Sequence, residues 1–555
     1  MEIPTSRASS DSLRAGTLAI VRVIPTDERA ERCEAAAVNA PELQQTDPQS
    51  ELFGSIRADV VKANSVRGGL VVFAAQGVKL CLSTGSSMVL ARLLTPHDFG
   101  LQGMVTALTG ILALFSDVGL SMATIQRQVV THEQTSTLFW INLALGAVLT
   151  LLTAALAPAL VAFYHEPRLF WITVALASTF LLGGLGTQHS ALLVRNMKFV
   201  TRAKIEMLSL AASVGVGITM AALGFGYWAL VGMTLSSSLI LLVCLWLSVR
   251  WIPGRPGRAS EVRAMFHFGG TLTLNRLINY ASLNAEKILL GRFWGADALG
   301  LYGRAYSLVN LPMTQLNSSV FTVAFPALSR LQSDRERLIS SFLKGYSVLL
   351  SVTVPATIGC ILFAEEIVQT VLGAKWLAAP PLVRLLGPTI LVFTLCSPLN
   401  WFLTASGRVT RALKLSLVAV PVVLVGIIIG LPYGPKGVAL AYSGAWTLLV
   451  IPITAWAIHG TGIQAVAFWK AAKPAAVAGL LMGICGFALE RGFHGLLPPL
   501  PRLALGSSLA LAVYCWVLLA IMGQWDLFRD LVSQVWRRKA AKSNVTGLGT
   551  NSSLP

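Results

Sequence analysis

From Gly68 onward the chain is written as long apolar runs separated by short polar joins. The run length of about twenty residues is what a helix needs to cross ~30 Å of hydrocarbon. The runs fall near 68–94, 100–123, 137–163, 169–194, 205–223, 228–249, 265–290, 299–328, 339–363, 382–405, 413–431, 437–458, 471–489 and 503–522. Each is expected to be helical, because a helix satisfies its own backbone polar groups where no water can. The fold class that follows is an all-α polytopic membrane protein of about 14 transmembrane helices. Residues 1 to about 60 break the pattern: they are polar, rich in Ser, Pro, Glu and Gln, without usable periodicity, and are expected to be disordered.

One join is written twice. Leu90 to Gly103 reads LARLLTPHDFGLQG, and Leu290 to Gly303 reads LGRFWGADALGLYG. Aligned without a gap, Leu90 and Leu290, Arg92 and Arg292, Gly100 and Gly300, Leu101 and Leu301, and Gly103 and Gly303 are identical, where roughly one match would be chance. Six spans separate the copies, so the two joins lie on the same side of the membrane and the repeat is parallel: spans 1–6, spans 7–12, and two more. Paired halves with a site between them are a recurring plan of membrane transporters.

The joins also set orientation. One set carries Arg195, Lys198, Arg202 and Lys204; Arg250, Arg255, Arg258 and Arg263; Arg330, Arg335, Arg337 and Lys344; and Arg408, Arg411 and Lys414. The other set holds few cations, among them Arg92 and Arg292, which read as interfacial anchors. The basic set should be cytoplasmic, with both termini beside it, and the repeated join extracytoplasmic. No join is long enough for a soluble catalytic domain, so an enzyme is not expected.

Composition narrows the class. The chain is 54% hydrophobic and 12% charged, against about a quarter charged in soluble proteins. The net charge of +18 is spread over the joins rather than gathered into a groove, which argues against nucleic acid. The cysteines are scattered, six of the seven inside apolar runs and with no CxxC spacing, and the histidines are isolated. No disulfide, metal or cofactor is expected. Past the last span, Trp525, Leu527, Phe528, Leu531, Val532, Val535 and Trp536 share a segment with Arg529, Arg537, Arg538 and Lys539, the pattern of an interfacial amphipathic helix.

Polar residues inside spans are costly and point to function. In the seventh span Asn275, Asn279, Ser282 and Glu286 fall on one helical stripe, with Arg276, Tyr280 and Lys287 on the next. The first span repeats this more weakly with Gln76, Lys79, Ser83, Ser86 and Ser87, which the 200-residue offset sets opposite the polar stripe of the seventh. The eighth span adds Arg304, Tyr306 and Asn310, and the second adds Thr106, Thr109 and Asp117. The candidate cavity residues are therefore Lys79, Arg276, Asn279, Glu286, Lys287 and Arg304, with Asp117 as a coupling or structural group. Cations outnumber carboxylates in this set, so the cavity should attract an anion. The bland alternatives are a local Glu286 and Lys287 pair and a cap or pairing of Asp117 with Arg127.

Several strings, taken in order, carry a resemblance: ARLLTPHDFGLQGM, LFSDVGLSMATIQR (Leu114 to Arg127), STLFWINLALG, LGRFWGADALGLYGRAYSLVNLP and FPALSRLQSD. Together, over roughly residues 62–490, the chain resembles the Wzx-type polysaccharide flippases. The resemblance is to the colanic-acid-exporter-like branch of the multidrug/oligosaccharidyl-lipid/polysaccharide exporter superfamily. Glu286 departs from the family pattern, which more often has Asp there. The resemblance implies two six-helix lobes around a central cavity, in a bacterial inner membrane. It implies translocation of undecaprenyl-pyrophosphate-linked oligosaccharide by alternating access, beside membrane lipid and with polysaccharide polymerase or assembly proteins as further partners.

The expected organisation is an extension over 1–61, a six-helix lobe over 62–250, a basic linker over 251–264, and a second lobe over 265–460. Two added helices over 461–523 and a tail over 524–555 complete it. The alternatives are a multidrug or small-molecule exporter of the same superfamily, which would favour acidic pockets, and a membrane glycosyltransferase or polymerase, which would need a large outer loop.

Overall fold

The computed structural model describes residues 58–116, 120–126, 130–257, 280, 284–314, 328, 331, 334–406, 408–493, 498–525, 529 and 533. The N-terminal extension up to residue 57, Asp117, Arg276, Asn279 and most of the tail lie outside them.

Among the described residues the secondary structure is entirely helical, and nine segments are long and apolar enough to cross a membrane. One of these, Leu417–Ile458, holds two of the expected spans on either side of a 3-10 turn at Leu431–Tyr433. The all-α polytopic class stands.

In chain order the first half runs α1 (Ala58–Leu93), α2 (Pro96–Ala113), α3 (Leu120–Gln126), α4 (His132–Ala155), α5 (Ala157–Tyr164), α6 (Leu169–Arg195), α7 (Phe199–Ala222) and α8 (Trp228–Val249). Helix α9 covers 284–314. The remainder is α10 (Arg335–Leu362), α11 (Ala364–Val371), α12 (Pro380–Leu386), α13 (Pro388–Ala405), α14 (Val409–Gly430), α15 (Gly434–Ile458), α16 (Ala465–Phe493) and α17 (Pro499–Trp516). Within the first half α4 packs with α6, α6 and α7 with α8, and α1 with α7, and within the second α14 and α13 pack with α15 and α10 with α13. Helices α16 and α17 pack on each other, and α16 packs on α10.

Local chemistry sets the breaks. Thr95 caps α2 through a reciprocal capping box with Asp98, and a proline follows it at the start of the helix, where its missing N–H costs nothing. Thr131 and Gln134 form the same device at the start of α4. The expected third span, 137–163, is two helices, α4 and α5, because Pro158 begins a new helix at the second position of α5. Within α9, Gly295 takes φ 77°, a conformation open mainly to glycine. Thr95, in the first copy, lies 200 positions earlier.

An apolar cluster gathers at the end of the molecule that carries both copies of the repeat. It contains Leu90, Ala91, Leu94, Phe99 and Leu101 from the first copy, Leu290, Ala296, Leu299 and Tyr302 from the second, and Leu372, Trp376 and Leu382 from the α11–α12 segment. A second cluster, around Phe342, Tyr346, Phe468 and Tyr514, joins α10 to α16 and α17.

Candidate functional site

Below the repeat, α2, Tyr280 and α9 line a cavity of about 290 Å³. Its polar lining is Gln102 and Thr106 from α2, Tyr280, and Asn284, Lys287, Arg304 and Ser307 from α9, roofed by Phe99, Leu299 and Gly300. The α9 spacings place these groups together, since 284 and 287, and again 304 and 307, are neighbours on one helix face.

The cations are oriented rather than loose. Arg304 donates from Nη1 to Ser87 Oγ at 2.8 Å, and its guanidinium carbon sits 3.6 Å from the Phe99 ring centroid, within the range of a cation–π contact. Lys287 donates from Nζ to Asn284 Oδ1 at 2.8 Å, and lies 5.3 Å from the Tyr306 ring centroid. Asn284 Nδ2 in turn donates to the Tyr280 carbonyl at 3.0 Å. The Tyr280 hydroxyl donates to the Thr106 carbonyl at 3.1 Å, pinning α2 to this segment. A guanidinium has five N–H donors and an ammonium three, so both cations keep donors beyond those bonds. Among the described residues, two cations and no carboxylate line the cavity.

The other sequence-expected residues are placed elsewhere. Lys79 Nζ lies 3.2 Å from Glu206 Oε2, while Arg202 Nε lies 3.0 Å from Glu206 Oε1. One carboxylate thus serves two cations. Glu206 and Arg202 also line a second cavity, of about 360 Å³, whose polar wall is hydroxylic: Ser121, Thr179, Thr187, Ser190 and Ser238.

Glu286 is fully buried at 0% exposure and takes no hydrogen bond from the described residues. It lies within electrostatic reach of Tyr302, Tyr306 and Tyr442. The structure therefore brings Lys287 and Arg304 together on the cavity wall, pairs Lys79 with Glu206 instead, and leaves Glu286, within reach of the Lys287 charge, off the described lining. Glu206, Asn284, Gln102 and Ser307 were not singled out from the sequence. Glu206 carried a usable signal, standing four residues after Arg202 at the foot of a span.

A model of the polysaccharide biosynthesis protein family matches residues 89–381, more than half of the chain. The chain belongs to that family.

Among relatives of this family member, the teichuronic acid biosynthesis protein TuaB of Bacillus subtilis (strain 168) is 31% identical over 53% of this chain and 62% of its own length. The match thus spans less than two thirds of that relative. The lipopolysaccharide biosynthesis protein WzxC of Escherichia coli (strain K12) is 28% identical over 64% of this chain and 73% of its own, in keeping with the Wzx-type resemblance. Among solved structures, the lipid II flippase MurJ in an inward closed conformation superposes with TM-score 0.66 at 14% identity, over 83% of this chain and 100% of that one. At that identity the likeness is one of fold.

Proposed function

We propose that this family member is a bacterial inner-membrane flippase, with both termini cytoplasmic, that moves undecaprenyl-pyrophosphate-linked oligosaccharide for surface polysaccharide by alternating access. The observation that carries the reading is the cavity whose described lining holds the cations Lys287 and Arg304 and no carboxylate. A diphosphate is a compact polyanion, and oriented N–H donors with a positive potential are what recognises one.

At about 290 Å³ the cavity sits at the bottom of the ~300–1,000 Å³ range of small-molecule sites. In this conformation it suits the diphosphate end of the cargo rather than the glycan, with the polyprenyl chain left in lipid. Amide and hydroxyl groups from Gln102, Asn284, Thr106 and Ser307 supply hydrogen-bonding partners for the first sugar. The names of the relatives and the fold shared with a lipid II flippase support the same cargo class. A cation-exporting relative would need acidic groups at this position.

The test is flipping of a defined lipid-linked oligosaccharide in proteoliposomes. Removing a charged hydrogen-bonding group costs about 1.5–3 kcal/mol, so Lys287→Ala and Arg304→Ala are each expected to lower the rate by roughly ten-fold to a hundred-fold with normal insertion. Wild-type rates in both well-inserted variants would overturn the cavity as the cargo site. Normal surface polysaccharide in a deletion strain, with no accumulated lipid-linked repeat units, would overturn the cargo class.

A further inference from the structure

The repeated join contacts itself. A Cβ built on Gly100 collides with the carbonyl oxygen of Ala296, and one built on Gly300 collides with that of Pro96. Pro96 and Ala296 stand 200 positions apart, as do Gly100 and Gly300. Each copy therefore presses the same glycine against the same backbone position of the other, the self-complementary pattern of a two-fold interface.

The next residue continues it. His97 Nδ1 lies 3.3 Å from Asp297 Oδ2, and these too are equivalent positions. The repeated arginines then reach outward in reciprocal fashion. Arg92, from the first half, donates to the Thr370 carbonyl at the end of α11 at 2.6 Å. Arg292, from the second, has its Nη1 3.1 Å from Nδ1 of His165, the residue that ends α5. Both were read from sequence as anchors in the lipid interface, yet each bridges the two halves. Lys375 Nζ and Trp376 Nε1 add bonds, each of 2.8 Å, to the carbonyls of Leu93 and Ala91.

We infer that this two-fold clasp is the outer gate of the transport path and that Arg304 couples it to the cavity. The transport role rests on the flippase reading above. Phe99 and Leu299, again equivalent positions, roof the cavity together with Gly300, so parting the copies opens the cavity at that end. The clasp is separable: its core is backbone pressed on backbone at glycines, and its ion pair is exposed, with Asp297 at 72%, so that pair adds little to hold it shut. Arg304 holds the Phe99 ring from below while donating to Ser87. An anion that draws the guanidinium away removes the prop beneath the roof.

The test starts from a chain whose seven native cysteines are replaced, carrying His97→Cys and Asp297→Cys and a protease site in the 251–264 join. A short bis-methanethiosulfonate reagent, which joins each cysteine through a reducible disulfide, should cross-link the pair, leaving one full-length species after proteolysis, whereas either single cysteine should not. In cells, cross-linking should lower polysaccharide export by roughly ten-fold or more, because a gate that cannot open stops turnover, and reduction should restore it. Failure to cross-link, or full cross-linking with unchanged export, would overturn the clasp as a gate.

A second readout needs no cargo. Gly100→Leu with Gly300→Leu should wedge the clasp and raise labelling of Gln102→Cys by a membrane-impermeant maleimide added to intact cells. Unchanged labelling in the inserted variant would overturn the gate whatever the cargo is. A deletion strain with normal export would remove the flippase reading while leaving this labelling result standing.

Discussion

Glu286 is a carboxylate at 0% exposure with neither oxygen taking a hydrogen bond from the described residues. Burying an ionised carboxylate without a partner is costly by several kcal/mol, and burying a neutral amide costs less. Glu286→Gln is therefore expected to insert normally and to unfold at the same or a higher temperature in detergent, measured by thermal unfolding of the purified protein. A clear drop in the midpoint would mean that the carboxylate has a partner that an amide cannot replace. The sequence placed Glu286 on a polar stripe and so in the cavity. The two adjacent stripes together cover nearly half a turn, however, and spacing alone does not say which of their residues face the cavity. Lys79 illustrates the same limit: its partner Glu206 stands 127 positions away, at the foot of a span just after a basic join.

At the scale of elements, the added helices are held by a buried ion pair. Arg502 Nε, at the start of α17, lies 2.7 Å from Glu366 Oε1 in α11, with side-chain exposures of 8% and 1%. The Tyr514 hydroxyl donates to the Ser351 carbonyl of α10 at 2.9 Å. Removing one member of a buried pair costs about 3–5 kcal/mol, because the other is left charged and unpaired. Arg502→Ala should therefore destabilise the protein by about that amount, and Arg502→Met with Glu366→Gln by much less. Thermal unfolding of the two variants side by side checks it, and equal losses would show that packing rather than the ion pair docks α17. The two helices were legible from their apolar runs, whereas the pair that fixes them was not. Glu366 and Arg502 both sit near span ends, where charges are ordinary.

Across the whole molecule, the apolar runs gave the helical class and the 200-residue repeat gave a register, and these agree with the fold because both rest on period and length. What they leave open is how each helix is turned about its axis and which distant joins touch. Arg304 shows what depends on that turn. It meets Ser87 across 217 positions and the Phe99 ring at 3.6 Å, so it faces the clasp above and the cavity below at once. A lysine keeps the charge but loses the planar face that stacks on an aromatic ring and the fixed fork of donors. If Arg304 served only as a counter-charge for the cargo, Arg304→Lys would flip lipid-linked oligosaccharide nearly as well as wild type. If it also props Phe99, the variant should bind cargo with little change yet turn over several-fold more slowly. It should also label more readily at Gln102→Cys in the absence of cargo, since the ring is no longer held. Cargo binding, flipping rate and labelling, measured on the same proteoliposome preparation, separate the two outcomes. Slow turnover with normal binding and raised labelling fits the coupled arrangement, and wild-type turnover with wild-type labelling reduces Arg304 to a charge.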